Sequence, residues 1–255
     1  MATNNSLYVF SLAKAFKLLE AFSHHGGTHG LTLKELADLA GLDRSSAQRM
    51  AYTLVELGYL ERADNRAYVL GKKVLERTFD FLRTHPLIER ATPVLVDLQK
   101  EAGERVDLSL FDDLSIIYAL RRQSKRQTFF ATLVGRRIPT YASSGGRAIM
   151  SHLPADQVDD ILARSTLKPI TAKTNTDPAR IRELVAQAKV QGFALAIEES
   201  LRGEIVLASA VLGNARQPVA AIHISGSCAE WTADEFVRRF APLAMAASRA
   251  LYGGA

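Results

Sequence analysis

Apolar residues recur at helical spacing through SLAKAFKLLEAF, where Leu12, Ala15, Phe16, Leu19 and Phe22 share one side and Lys14, Lys17 and Glu20 lie off it. The pattern predicts an amphipathic helix with Ser11 as its cap. The segment HHGGTHG then breaks the period with glycines at 26, 27 and 30 and reads as a loop. Its histidines, His24, His25 and His29, have no carboxylate or thiolate beside them, so no metal site is predicted there.

The next stretch, TLKELADLAGLDRSSAQRMAYTLVELGYLER, carries two helix starts. Thr32 with Glu35 three residues on is a capping box, and Leu33, Leu36 and Ala37 turn inward on a short helix that ends at Gly41. Asp43 caps a second helix running to about Leu57, with Ala47, Met50, Leu54 and Leu57 as its buried stripe. Two helices joined by a three- or four-residue turn containing Gly have the spacing of a helix-turn-helix. The opposite side of the second helix offers Arg44, Ser45, Ser46, Gln48, Arg49 and Tyr52, hydrogen-bond donors with no acidic residue among them. Such a face suits guanine edges and phosphates in a major groove, where a carboxylate would be repelled. A plain three-helix bundle with a polar face is the alternative. The segment after the helix favours the first reading: Tyr59 to Arg62 and Arg66 to Leu70 alternate around a turn at Ala63-Asp64-Asn65, a hairpin that sets Arg62 and Arg66 near its tip as a wing.

Beyond Gly71 the pattern gives one helix to about Arg83, a break at His85-Pro86 and a second helix ending at Gly103. RVDLSLFDDLSIIYALRR alternates about a turn at Asp112-Asp113, as a hairpin does. Helices are predicted over 145–152, 155–164 and 178–191, then three apolar strands and a last helix from Thr232 to Leu251. Strands and helices in this order predict an α+β domain, one antiparallel sheet flanked by helices.

The composition agrees with a globular chain of one or two domains, with two the better fit: 255 residues, 47% hydrophobic, 23% charged. No apolar run is long enough to cross a membrane, the first residues do not form a secretory signal, and one cysteine, Cys228, makes no internal disulfide. The expected location is the cytoplasm. A net charge of +5 permits a polyanionic partner but does not locate it, since the excess is two before Pro86 and three after. No nucleophile elbow, phosphate loop, HExxH or dinucleotide fingerprint is present, so no catalytic residue and no cofactor are predicted. Ser143 and Ser144 beside Gly145 and Gly146 read better as a turn that hosts a small anion on backbone amides than as a nucleophile. Asp112-Asp113 and Asp159-Asp160 read as solvated, and Arg121, Arg122, Lys125 and Arg126 as a solvated face or a grip on an anionic partner or second subunit.

Taken in order, SLAKAFKLLEAF, LTLKELADLAGLDRSSAQRMAYTLVELGYLER, YVLGKKVLE, VGRRIPTYASSGGRAIMSHLP, GFALAIEES and PVAAIHISG resemble the IclR family of bacterial transcription regulators over nearly the whole chain. The resemblance implies a winged helix-turn-helix over 1–71, a linker helix over 72–86 and a GAF-like effector-binding domain over 87–255. It also implies double-stranded promoter DNA and a small-molecule effector as partners. DNA contacts fall to Thr32, Arg44, Ser45, Ser46, Gln48, Arg49, Tyr52, Arg62 and Arg66. The effector would lie between the sheet and SSGGRA, with Ser144, Gly145 and Gly146 offering amides to a carboxylate, and Ala196, Ile197, Val206, His223 and Ser225 across from them. Members that sense small oxoacids have an acidic residue at Ala196 or Ile197 and a cysteine at Val206. Their loss here implies a more apolar cavity, walled further by Phe129, Phe130 and Leu133, for an aromatic or apolar organic acid. The apolar side chains Val74, Leu75, Phe79 and Leu82 suit a partner helix, so a dimer or a dimer of dimers is expected. An enzyme or scaffold that borrows a sensor domain is the other reading.

Overall fold

The computed structural model describes residues 7–24, 29–63, 66–123 and 134–253. His25, the Asp64-Asn65 turn, Lys125, Arg126, Phe129, Phe130 and Leu133 lie outside the described residues. The chain divides into two compact units, Met1–Arg83 and Thr84–Ala255.

In the first unit, helix α1 spans Phe10–Glu20. Its cap position is Val9, with no side-chain hydrogen bond, so Ser11 is not a cap but an interior residue. The buried residue of α1 is Leu18, while Leu12 and Phe16 are exposed. Both sets fit a 3.6-residue period, and the helices α2 (Leu33–Ala40) and α3 (Arg44–Glu56) pack against the side that carries Leu18. Thr32 and Glu35 form the capping box, Gly41 takes the left-handed turn at φ 64°, and Asp43 accepts from the Ser46 N–H at 2.8 Å. Ala47, Ala51 and Leu54 are the buried residues of α3. Met50 is only partly covered and Leu57 is 50% exposed, because α3 ends before Leu57 and the chain turns at Gly58 (φ 78°). Strands β1 (Leu60–Arg62) and β2 (Tyr68–Leu70) pair antiparallel, Leu60 opposite Leu70, and Leu31 adds a bridge to Tyr68. Helix α4 spans Lys73–Thr84 and buries none of its residues.

The second unit is built on α5 (Pro86–Ala102), opened by Pro86 at its first position and ended by Gly103 at φ 68°. Six strands follow: β3 (Arg105–Asp112), β4 (Ser115–Arg122), β5 (Arg137–Pro139), β6 (Ala194–Ile197), β7 (Glu204–Leu212) and β8 (Pro218–Ser227). They form a single sheet in the order β5-β4-β3-β8-β7-β6, antiparallel throughout. One face, with Val106, Leu108, Leu207, Ile222 and Ile224, is buried beneath α5 and the terminal helix α9 (Ala233–Ala250). The other face packs Ile116, Tyr118, Ala208, Ala210 and Ala221 against α6 (Ser144–Met150) and α8 (Pro178–Gln191). Helix α7 (Ala155–Arg164) closes a further cluster through Val158, Ile161 and Leu162.

Candidate functional site

The first candidate is the outer face of α3. Asp43 stands at its start, and hydrogen bonds from the Ser46 side chain and N–H hold its carboxyl below the ordinary pKa. That commits Ser46 to the cap. Arg44, Ser45, Gln48, Arg49 and Tyr52 stand in solvent. Ser45, Gln48, Arg49, Tyr52 and Thr53 line a surface depression of about 470 Å³ together with Arg62 of β1, so the wing brings a second guanidinium to the helix face. Thr32 and Arg66 are not part of it. The Thr32 hydroxyl is held by Glu35 at 2.7 Å, and Arg66 sits exposed in the hairpin at φ 62°.

The second candidate lies on the α6 face of the sheet. Register puts Asp107 opposite both His223 and Arg121, Arg105 opposite Ser225, and Val206 opposite Ser225 and Ala196. Directly opposite residues share a face, so Ala196, Val206, His223 and Ser225 fall on one surface. Ile197 falls on the other side of β6 and is exposed, which corrects its assignment to this wall. Helix α6 reaches the same surface through its glycines. A Cβ on Gly145 would collide with His223 Cε1, and one on Gly146 would collide with the Thr140 carbonyl oxygen, so only glycine allows this approach. The Gly146 N–H donates to the Ser143 hydroxyl at 3.0 Å, so that amide is already engaged.

This surface also holds side chains that motif reading passed over. Arg121 donates to Asp107 through Nε at 2.9 Å and Nη2 at 3.0 Å, and its guanidinium lies 3.8 Å from the Tyr118 ring centre. Arg105 donates to Asp107 at 3.1 Å and pairs with Glu204 at 2.7 Å. The Arg121 and Asp107 side chains are 1% and 0% exposed, so Arg121 belongs to a buried pair and not to a surface cluster with Arg122. Nor is this surface uniformly apolar: Ala196 and Val206 share it with a charged network on β3 and β4. Its signal in the sequence was the alternation in RVDLSLF, where Arg105, Asp107 and Ser109 interleave with Val106, Leu108 and Leu110. Polar positions on strands buried on both sides mark a functional or paired interior.

His223 is fully buried. Its Nε2 is 2.7 Å from the Ser109 hydroxyl oxygen, and the Tyr118 ring lies against it, tilted by 52°, at 5.1 Å between ring centres. Burial lowers its pKa to about 4, with Arg121 and Arg105 adding to the effect and Asp107 opposing it, so the imidazole is neutral at pH 7. Among the described residues, His223 Nδ1, Ser225 Oγ and Arg121 Nη1 are buried without a hydrogen-bond partner.

Comparison with known proteins bears on both candidates. The family model described as "IclR helix-turn-helix domain" matches residues 11–64, and "Bacterial transcriptional regulator IclR C-terminal" matches residues 79–252. The chain belongs to the IclR family. It is 30% identical to the transcriptional repressor IclR of Escherichia coli K12 over 252 residues, covering 96% of this chain and 91% of that protein. A solved transcriptional regulator from Rhodococcus sp. RHA1 superposes with a TM-score of 0.79 at 27% identity, covering 96% of this chain and 97% of that one. An IclR homologue from Microbacterium hydrocarbonoxydans, solved in complex with 4-hydroxybenzoate, shares the fold at a TM-score of 0.73, 21% identity, and coverage of 94% and 98%. The chain is therefore an IclR-type transcription regulator, not an enzyme, with a helix-turn-helix DNA-binding domain followed by an effector domain. No described helix is long and apolar enough to cross a membrane.

Proposed function

We propose that this IclR-type regulator responds to an organic acid with an aromatic or apolar body, bound on the α6 face of the sheet. The observation that carries the reading is three unpartnered buried polar atoms on this face, His223 Nδ1 and Ser225 Oγ on β8 and Arg121 Nη1 on β4, with the small apolar Val206 directly opposite Ser225 and Ala196 next to it on the edge strand. A buried polar atom without a partner costs about 1–3 kcal/mol, which a ligand oxygen would recover. The solved homologue with 4-hydroxybenzoate is an example of the ligand class in a protein of the same fold. Ser144 and Gly145 border the same surface in this reading; Phe129 and Leu133, expected in its wall, lie outside the described residues. Calorimetry tests it: aromatic acids should bind more tightly than glyoxylate or pyruvate, and His223→Ala and Ser225→Ala should each weaken them. Tighter binding of the small oxoacids, or unchanged affinity in both variants, overturns the reading.

On the DNA side, Gln48, Arg49 and Tyr52 read base edges in this proposal, whereas Arg44, Ser45, Arg62 and Arg66 contact phosphate. Residues 1–71 act as the reading head, 72–86 as the linker and 87–255 as the sensor, in the cytoplasm. Leu75 and Phe79 of α4 stand in solvent at 71% and 62% exposure, which supports a homodimer or dimer of dimers placing two heads on paired half-sites. Ligand binding then shifts the population of linker arrangements. A monomeric mass by light scattering would exclude this.

A further inference from the structure

A cavity opens at one edge of the effector domain's sheet, lined by none of His223, Ser225, Val206 and Arg121. Strand β6 is one edge of the sheet. Along that edge runs a cleft of about 650 Å³, bounded by α8 on one helix layer and the first turns of α9 on the other. The apolar lining includes Leu184, Phe193, Leu195, Ile197 and Val237. The polar lining includes Arg147, Glu199, Asn175, Lys173 and Arg238.

Arg147 is the informative member. It sits on α6, its side chain is 1% exposed, and its Nη2 donates to Glu199 Oε1 at 2.6 Å. Glu199 is itself 5% exposed, and its other oxygen accepts from Asn175 N–H at 3.1 Å and Asn175 Nδ2 at 2.9 Å. The carboxylate is thus fully engaged, while the guanidinium is not: Arg147 Nε and Nη1 have no hydrogen-bond partner among the described residues. A guanidinium buried with three N–H bonds unused is costly, and each of them can donate to an oxygen of a carboxylate or phosphate. Arg238 and Lys173, the latter paired with Glu198 at 2.6 Å, bring positive charge to the cleft, and Asp234 brings one carboxylate. The edge strand adds backbone groups. Glu198 N–H donates inward to the Glu204 carbonyl, so antiparallel alternation turns the N–H and C=O of Leu195 and Ile197 outward, toward the free edge.

We propose that this cleft is a second small-molecule site, taking an oxyanion with a compact apolar body, the oxyanion at Arg147 and the body against Leu195, Ile197 and Val237. The carboxylate and phosphate forms of such a ligand share this chemistry. Fluorine-detected NMR titration of the full chain with 4-fluorobenzoate and, separately, 4-fluorophenyl phosphate distinguishes them. The His223→Ala/Ser225→Ala double variant isolates the cleft from the sheet-face site. At least one probe should still bind it saturably. That residual binding should weaken by about tenfold or more in Arg147→Gln, the loss of one charged hydrogen-bonding group. Val237→Glu, which places a like charge at the rim and leaves the Arg147–Glu199 pair in place, should weaken it likewise and guards against a folding defect in the first variant. Loss of all binding in the double variant overturns the proposal, as does wild-type affinity in Val237→Glu. A wild-type protein that loses no binding component in the double variant would instead overturn the sheet-face reading and leave the cleft standing.

Discussion

The two faces proposed to carry this regulator's chemistry are built in opposite ways. On α3 the donors Arg44, Gln48, Arg49 and Tyr52 stand in water, and the helix interior beneath is ordinary apolar packing. On the sheet face, Arg105, Asp107, Arg121 and His223 are withdrawn from water, and the two guanidinium groups grip one carboxylate. An exposed donor costs nothing to keep until a partner arrives. A buried one must be satisfied inside the fold, and any atom left over is a pressure toward a ligand. The first surface is therefore separable from stability and the second is not.

Substitution at the centre of the buried network should show this most strongly. Asp107→Ala leaves two guanidinium groups buried without their shared carboxylate and should cost about 3–5 kcal/mol in urea unfolding. Arg44→Ala on the exposed helix should stay within about 0.5 kcal/mol of wild type in the same assay. Similar losses in the two variants would erase the contrast.

Next in size is the pH dependence carried by His223. Its folded pKa of about 4 lies below the unfolded value of 6.5, so the unfolded chain binds the extra proton in that window. The stabilisation from neutral His223 is complete above about pH 6.5 and is lost as pH falls toward 4. It amounts to about 3 kcal/mol. Unfolding of wild type and His223→Gln at pH 7 and pH 4.5 isolates it: wild type should lose more stability than the variant, and equal losses would remove His223 from the account.

For the exposed face the effects appear in binding. Arg49→Ala should lose about 1–3 kcal/mol on the best site with relaxed base preference, whereas Arg44→Ala should weaken all sequences alike and lower the salt slope by about one. Footprints and salt titrations separate the two. Identical behaviour would mean that position along α3 does not sort base from phosphate contacts.

The smallest effect sharpens the boundary of the DNA face. Thr32 is committed to the capping box with Glu35, so Thr32→Ala should cost about 1 kcal/mol of stability and leave the salt slope unchanged. A changed slope with wild-type stability would move Thr32 into the DNA contacts.

The sequence by itself determined the parts whose physics is local. The Thr32–Glu35 box, the left-handed Gly41, the Asp43 cap and the acid-free side of α3 all act within about one helical turn, where spacing alone sets geometry. The same holds for the break at Pro86 and the stop at Gly103. Tertiary structure decided the rest. Whether Leu18 or Leu12 and Phe16 of α1 would be buried depended on which side α2 and α3 approached, since both sets share one period. Arg121 read as a surface charge until strand register set it against Asp107, and Ile197 turned out to be one residue out of phase with the wall it was assigned to. A one-residue step along a strand reverses the face, and the pairing of Asp107 with His223, more than a hundred positions away, is set by how β3 and β8 align. That alignment is fixed by burying both faces of the sheet at once, a condition no short segment carries on its own.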